Sequence, residues 1–250
     1  MEAEILIPTD INEIPLSSYQ KFMHSADKSN DEEFLCQKMV EIFCGLRLRD
    51  VLKVKWSDVQ DITIHMSEVF KEKPKFEKTF TINKVEFGFI TNIEELTFGE
   101  YIDLDTNIRS IETMHKAMAV MYRPVIDKQG DKYEIEEYHG TATYAEVMEY
   151  APLGITLAAQ LFFWTLTSEL LKSTLQFLEV QMKTKDMKQT FLQGLNLENN
   201  GDGISQYMQS LKDSLKGFEM SQDYLYKTAL HGLLLKSKSE ILKLQRCSEN

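Results

Sequence analysis

Apolar residues recur along this chain with two different periods. Phe34, Leu35, Met39, Ile42 and Phe43 return at helical spacing and predict a helix from Asp31 to Cys44, stopped by Gly45. Val59, Ile62, Met66 and Val69 predict another from Trp56 to Lys71. Between them, Leu46–Val54 fits neither period. Before them, Ile5–Pro15 alternates short apolar and polar residues around two prolines and reads as an extended arm. A short helix should follow, capped by Ser17 or Ser18. After Lys73–Pro74–Lys75 the period drops to two. β-Branched and aromatic residues around Asn83–Lys84 predict a β-hairpin, Phe76–Ile82 paired with Val85–Ile90.

The helical period then resumes. Ile111, Met114, Met118 and Met121 align over Ser110–Tyr122, with Pro124 expected to end that helix. The stretch "PVIDKQGDKYEIEEY" predicts a second hairpin turning near Gln129–Gly130, followed by a short helix over Thr143–Tyr150. From Pro152 the longest helix begins. Leu157, Leu161, Trp164, Ser168, Leu171, Leu175, Leu178 and Met182 alternate in steps of four and three, a 3.5-residue seam broken only by Ser168. Beyond the linker-like "LNLENNGDGIS", Ile204, Met208, Leu211, Leu215 and Phe218 repeat the pattern, and Tyr226–Leu244 continues it. These last helices either fold back on the long one or pack against a neighbouring subunit.

The pattern predicts an α+β fold that is mainly α-helical. Helices surround one or two short β-hairpins, and a long C-terminal helix carries a helical extension. Residues 1–182 form the main α+β domain, with 1–15 as its extended N-terminal arm. Residues 183–250 form the C-terminal helical extension, with a linker near 194–203.

Charge divides the chain at the same place. Residues 1–182 hold 18 basic and 31 acidic side chains, whereas residues 183–250 hold 10 and 8. A net charge of −11 argues against direct recognition of nucleic acid through phosphate neutralisation. Three cysteines, Cys36, Cys44 and Cys247, share no CxxC spacing and read as thiols of a reducing compartment. The acidic start "MEAEILIPTD" does not read as a signal peptide. Tyr150–Ser168 is uncharged over a length close to a bilayer's, but Pro152, Gly154 and Gln160 and its continuation into a charged helix favour a buried helix and no membrane.

Candidate chemistry is sparse. No phosphate-binding glycine loop, HExxH or GxSxG motif occurs, and no cofactor is implied. The acidic run from Glu94 to Asp105 has a structural explanation. Asn92 with Glu95, and Thr97 with Glu100, have capping-box spacing, and carboxylates at a helix start suit its dipole. "DLDTN", Asp103–Asn107, has the first oxygen spacings of a calcium loop but lacks the glycine and the closing glutamate. A metal-dependent enzyme using Glu100, Asp103 and Asp105 is the alternative from chemistry.

The order of phrases carries more. "EFGFITNIEELTFGEYIDLDTN", "MHKAMAVMYRPV", "YEIEEYHGT" and "APLGITLAAQLFFWTLTSELLKSTL" follow one another. In this order the chain resembles a family of structural and assembly proteins of tailed bacteriophages, including crAss-like podoviruses. The likeness runs over roughly residues 34–180. It implies a non-enzymatic virion protein, a ring or connector component at the head–tail junction or in the tail. Such a protein assembles in the host bacterial cytoplasm, as a homo-oligomer and with portal, other ring or tail proteins of the same phage. The alternative within assembly proteins is a tail assembly chaperone not retained in the virion. Candidate interface residues are Tyr133, Tyr138, Leu211, Leu215, Phe218, Leu230 and Leu233.

Overall fold

The computed structural model describes residues 5–29 and 31–181, and beyond them residues 209, 210, 212, 213 and 216. The fold is α+β and mainly helical. The chain divides into two compact units, with the boundary at Gln160 and Leu161 inside one continuous helix. Each unit is described by itself.

In the first unit, α1 (Leu16–Lys28), α2 (Glu32–Phe43), α3 (Leu48–Val51) and α4 (Trp56–Val69) build a helical layer. Asp31 caps α2 through the amides of Glu33 and Phe34. Phe22, Phe43 and Phe70 form its aromatic centre, at ring separations of 5.3 and 5.5 Å. α1 starts differently from expectation. Its cap is Pro15, and neither Ser17 nor Ser18 serves. The Leu16 and Ser17 amides instead donate to the Ala151 and Glu149 carbonyls, so distant backbone satisfies the orphan donors a serine would have taken.

The N-terminal segment is not a free arm. Residues Ile11–Glu13 form a 3-10 turn, Ile11 and Ile14 are buried, and Pro15 bridges to Pro152. The Ile155 amide donates to Asn12 Oδ1 at 3.2 Å, so this segment caps the start of the long helix. Apolar side chains at Ile11 and Ile14 explain why it packs against the body.

Four strands follow: β1 (Thr79–Ile82), β2 (Val85–Phe89), β3 (Tyr122–Gln129) and β4 (Lys132–Ile135). The two expected hairpins join into one antiparallel sheet of order β1-β2-β3-β4. Phe80 sits opposite Phe87, and Phe89 opposite Tyr122. These cross-strand aromatic pairs fix the register. Tyr122 is fully buried, its hydroxyl donates to the Glu77 carbonyl at 2.7 Å, and burial pushes its pKa far above the usual tyrosine range.

The first hairpin turns through Asn83 and Lys84, both at positive φ, 48° and 69°. That is the primed turn matching strand twist, and lysine is the poorer occupant of the left-handed region. Lys84→Gly should therefore raise stability by about 0.5–1 kcal/mol, read as a higher thermal midpoint.

Between the hairpins lie α5 (Phe98–Asn107) and α6 (Met114–Met121). α6 is buried almost all round, with Ala117, Ala119 and Val120 inside as well as its methionines. It ends at Met121, not at Pro124. Tyr122 is already extended, the Met121 carbonyl accepts from the Ile90 amide, and the residue before a proline disfavours helix. Pro124 therefore lies inside β3, and the β2–β3 pairing stops there, where the missing amide ends the ladder.

α7 (Ala145–Met148) leads to α8 (Leu153–Gln181), the long helix expected from Pro152. Within the first unit, Leu153, Ile155, Ala158 and Ala159 are buried, and Gln160 Nε2 donates to the Ile108 carbonyl at 2.8 Å. Within the second unit the 3.5-residue seam is visible. Trp164, Ser168, Leu175 and Leu178 are buried, while Leu166, Leu170 and Phe177 are exposed. None of the described helices is long and apolar enough to cross a membrane.

Candidate interaction site

α5 buries two polar residues and exposes three large apolar ones. Its buried residues are Glu100, Leu104 and Asn107. On the opposite side Phe98, Tyr101 and Ile102 are 79%, 58% and 45% exposed. At 100° per residue, positions 98, 101, 102 and 105 share one face, so these three side chains and Asp105 form a continuous stripe.

The polar contacts explain how the helix holds this orientation. Thr97 and Glu100 make the expected capping box. Thr97 Oγ1 accepts from the Glu100 amide, and Glu100 Oε2 accepts from the Thr97 amide at 2.8 Å and hydroxyl at 2.7 Å. Glu100 Oε1 takes Arg123 Nη2 at 2.8 Å, in a pair whose side chains are only 6% and 9% exposed. Arg123 comes from β3, so this ion pair ties α5 to the sheet. The Arg123 guanidinium lies 5.8 Å from the Tyr138 ring centre, and Tyr138 donates its hydroxyl to Asp103 Oδ2. Burial first, then the bond to Asp103, raises the tyrosine's pKa well above the usual range. Nearby, Tyr144 donates to Glu136, and that bond is the main reason its pKa is pushed up to about 12.

The acidic run is thus divided among separate partners. Glu100 serves Arg123, Asp103 serves Tyr138, and Asp105 pairs with Arg109 at 2.7 Å. "DLDTN" lies on α5, and successive alternate positions on a helix point in different directions, so its oxygens do not converge. Among the described residues no three His, Cys, Asp or Glu side chains are grouped to hold a metal ion. Asn92–Glu95 forms only a single 3-10 turn, Ile93–Glu95.

Two candidate interface residues are occupied within the chain. Tyr133 places its ring over Gly88 and donates its hydroxyl to the Phe89 carbonyl at 2.9 Å. Tyr138 is engaged with Arg123 and Asp103 as above. Both are half-buried and hydrogen-bonded within the chain. Leu211, Leu215, Phe218, Leu230 and Leu233 lie outside the described residues.

A second exposed patch sits at α3 and the start of α4, in the stretch without a clear period. Val51 anchors it in the core. Around that anchor Arg47, Arg49, Lys53 and Lys55 are exposed, and Leu52 and Trp56 are 66% and 52% exposed. Asp50 is the one acid between them. Lys53 and Arg47 hydrogen-bond it at 3.1 and 2.8 Å, and those bonds hold its carboxyl below the usual range. The signal in the sequence was four cations within nine residues of an acidic domain. For α5 it was three apolar residues at 98, 101 and 102 on the face away from Leu104.

Comparison with protein-family models, curated proteins and solved structures gave no match. The geometry therefore defines a class by itself: a mainly helical α+β protein presenting a braced apolar helix face.

Proposed function

We propose that this chain is a non-enzymatic assembly protein of a tailed bacteriophage, a ring or connector component at the head–tail junction or in the tail. The observation that supports this reading best is α5. A helix that sends a glutamate inward and two aromatics outward is arranged for contact with another protein. Phe98 and Tyr101 supply large rigid surfaces, the kind of side chain that anchors interfaces. The Glu100–Arg123 pair and the capping box hold the helix in place, so little ordering is lost on docking. The resemblance of the phrase order gives the setting: copies of itself, and portal, other ring or tail proteins. In that setting the protein assembles in the bacterial cytoplasm and remains in the virion.

The test is quantitative mass spectrometry of purified, nuclease-treated virions carrying the wild-type chain or Phe98→Ser/Tyr101→Ser. The wild-type chain should be present at a small whole-number ratio to the portal. The variant should be missing, although its stability changes by less than about 0.5 kcal/mol because both side chains are surface groups. Wild-type protein abundant in infected cells but missing from virions would overturn the structural role in favour of a tail assembly chaperone.

A further inference from the structure

We infer that the partner of the α5 face is a second copy of this chain, which meets it with the basic patch Arg47–Trp56. This deepens the assembly role and rests on α5 being a docking surface. The two patches are complementary in both charge and apolarity. One presents Arg47, Arg49, Lys53 and Lys55 around exposed Leu52 and Trp56. The other presents Phe98, Tyr101 and Ile102 flanked by exposed Glu95 and by Asp105, which keeps 48% of its side chain in solvent beside its partner Arg109.

The apolar residues decide between occupants. A nucleic-acid backbone satisfies the four cations but leaves Leu52 outside the contact, because phosphates offer no apolar surface. An acidic peptide without aromatics has the same defect. The α5 face offers both kinds of contact at once. Arg47, Arg49 and Lys53 keep 70%, 68% and 75% of their side chains in solvent despite Asp50, so their charge remains available to steer a partner.

The two patches are different surfaces of one molecule, so the contact is head-to-tail. Each added copy leaves one free patch of each kind. Such an interface builds a ring where its rotation closes and an open filament where it does not. Exposed charges at its rim make the assembly weaken as salt is added.

Sedimentation velocity over a concentration series tests this on the full chain. The wild type should show reversible, salt-sensitive species larger than a dimer. Arg49→Glu/Lys53→Glu/Lys55→Glu should lower the association constant by at least about tenfold, and so should Glu95→Lys/Asp105→Lys. Mixed in equal amounts, the two variants should associate again, since each then meets a face of opposite charge. That recovery also shows that both are folded.

A wild type that stays monomeric at every concentration overturns the proposal, and so does a mixture that stays monomeric. Binding of a single-stranded oligonucleotide that is lost in the Arg49/Lys53/Lys55 variant, by a monomeric wild type, assigns the patch to nucleic acid and also overturns it. The assembly role itself stands or falls separately. A monomeric wild type whose Phe98/Tyr101 variant is missing from virions keeps that role and changes only the partner.

Discussion

Arg123→Ala should destabilise the protein by about 3–5 kcal/mol, seen as a lower denaturant midpoint with an unchanged slope. The reason is asymmetry. Glu100 is 4% exposed, and without the guanidinium its carboxylate stays buried with only Thr97 to bond it. Glu100→Ala should cost a similar amount, because Arg123 Nε already has no hydrogen-bond partner and the whole cation would then be stranded. Replacing both, Glu100→Leu with Arg123→Met, should cost much less than the two single changes added together. Single variants costing under about 1 kcal/mol would show that the pair is not the brace described above. The double variant carries a second readout. It keeps the core but loosens α5 from the sheet, so contacts made through Phe98 and Tyr101 should weaken while the thermal midpoint largely recovers.

Gly88→Ala should cost about 1–3 kcal/mol, although alanine suits a strand better than glycine. A methyl group there would come 2.5 Å from Tyr133 Cε2 and 2.9 Å from Ile135 Cγ2. The Tyr133 ring cannot swing away freely, because its hydroxyl is held by the Phe89 carbonyl. In a double-mutant cycle with Tyr133→Ala, the combined loss should be smaller than the sum of the separate losses. Strict additivity by chemical denaturation would sink the close-approach explanation. The result also separates two roles for Tyr133. An interface tyrosine would leave stability unchanged when removed, whereas this one should not.

What the chain declares locally, it declares well. Asn83–Lys84, Gly130 and the Thr97–Glu100 box act over a few residues, and these two turns and this box appear where expected. The long helix from Pro152 is legible for the same reason, since its apolar period is sustained over many turns. Failures came where a distant segment decides. Glu100 reads as an ordinary capping residue until Arg123, on another element, reaches it. Tyr133 and Tyr138 look like an exposed aromatic face until Gly88 and Asp103 are placed beside them. The two hairpins join into one sheet because Phe87, Gly88 and Phe89 pair with Pro124, Arg123 and Tyr122, a match that no local pattern announces. That the α5 stripe is exposed is not legible in the sequence, because which face of α5 turns inward is decided by Arg123 on β3.

The contact between Asn12 and Ile155 also sets a schedule. Its partners are 143 residues apart, and neighbouring backbone bonds join Ile14 to Leu153 and Leu16 to Ala151. On a ribosome adding about 5–20 residues per second, Asn12 waits on the order of ten seconds for Ile155. Until then Ile11 and Ile14 have nowhere to go, and a half-made chain displays them as greasy, unsheltered surface. Closing so large a loop is slow but adds little to its cost for each further residue. Residues 11–16 thus leave the tunnel long before the segment that seats them, and a nascent chain stalled before residue 150 should be held by chaperones rather than released.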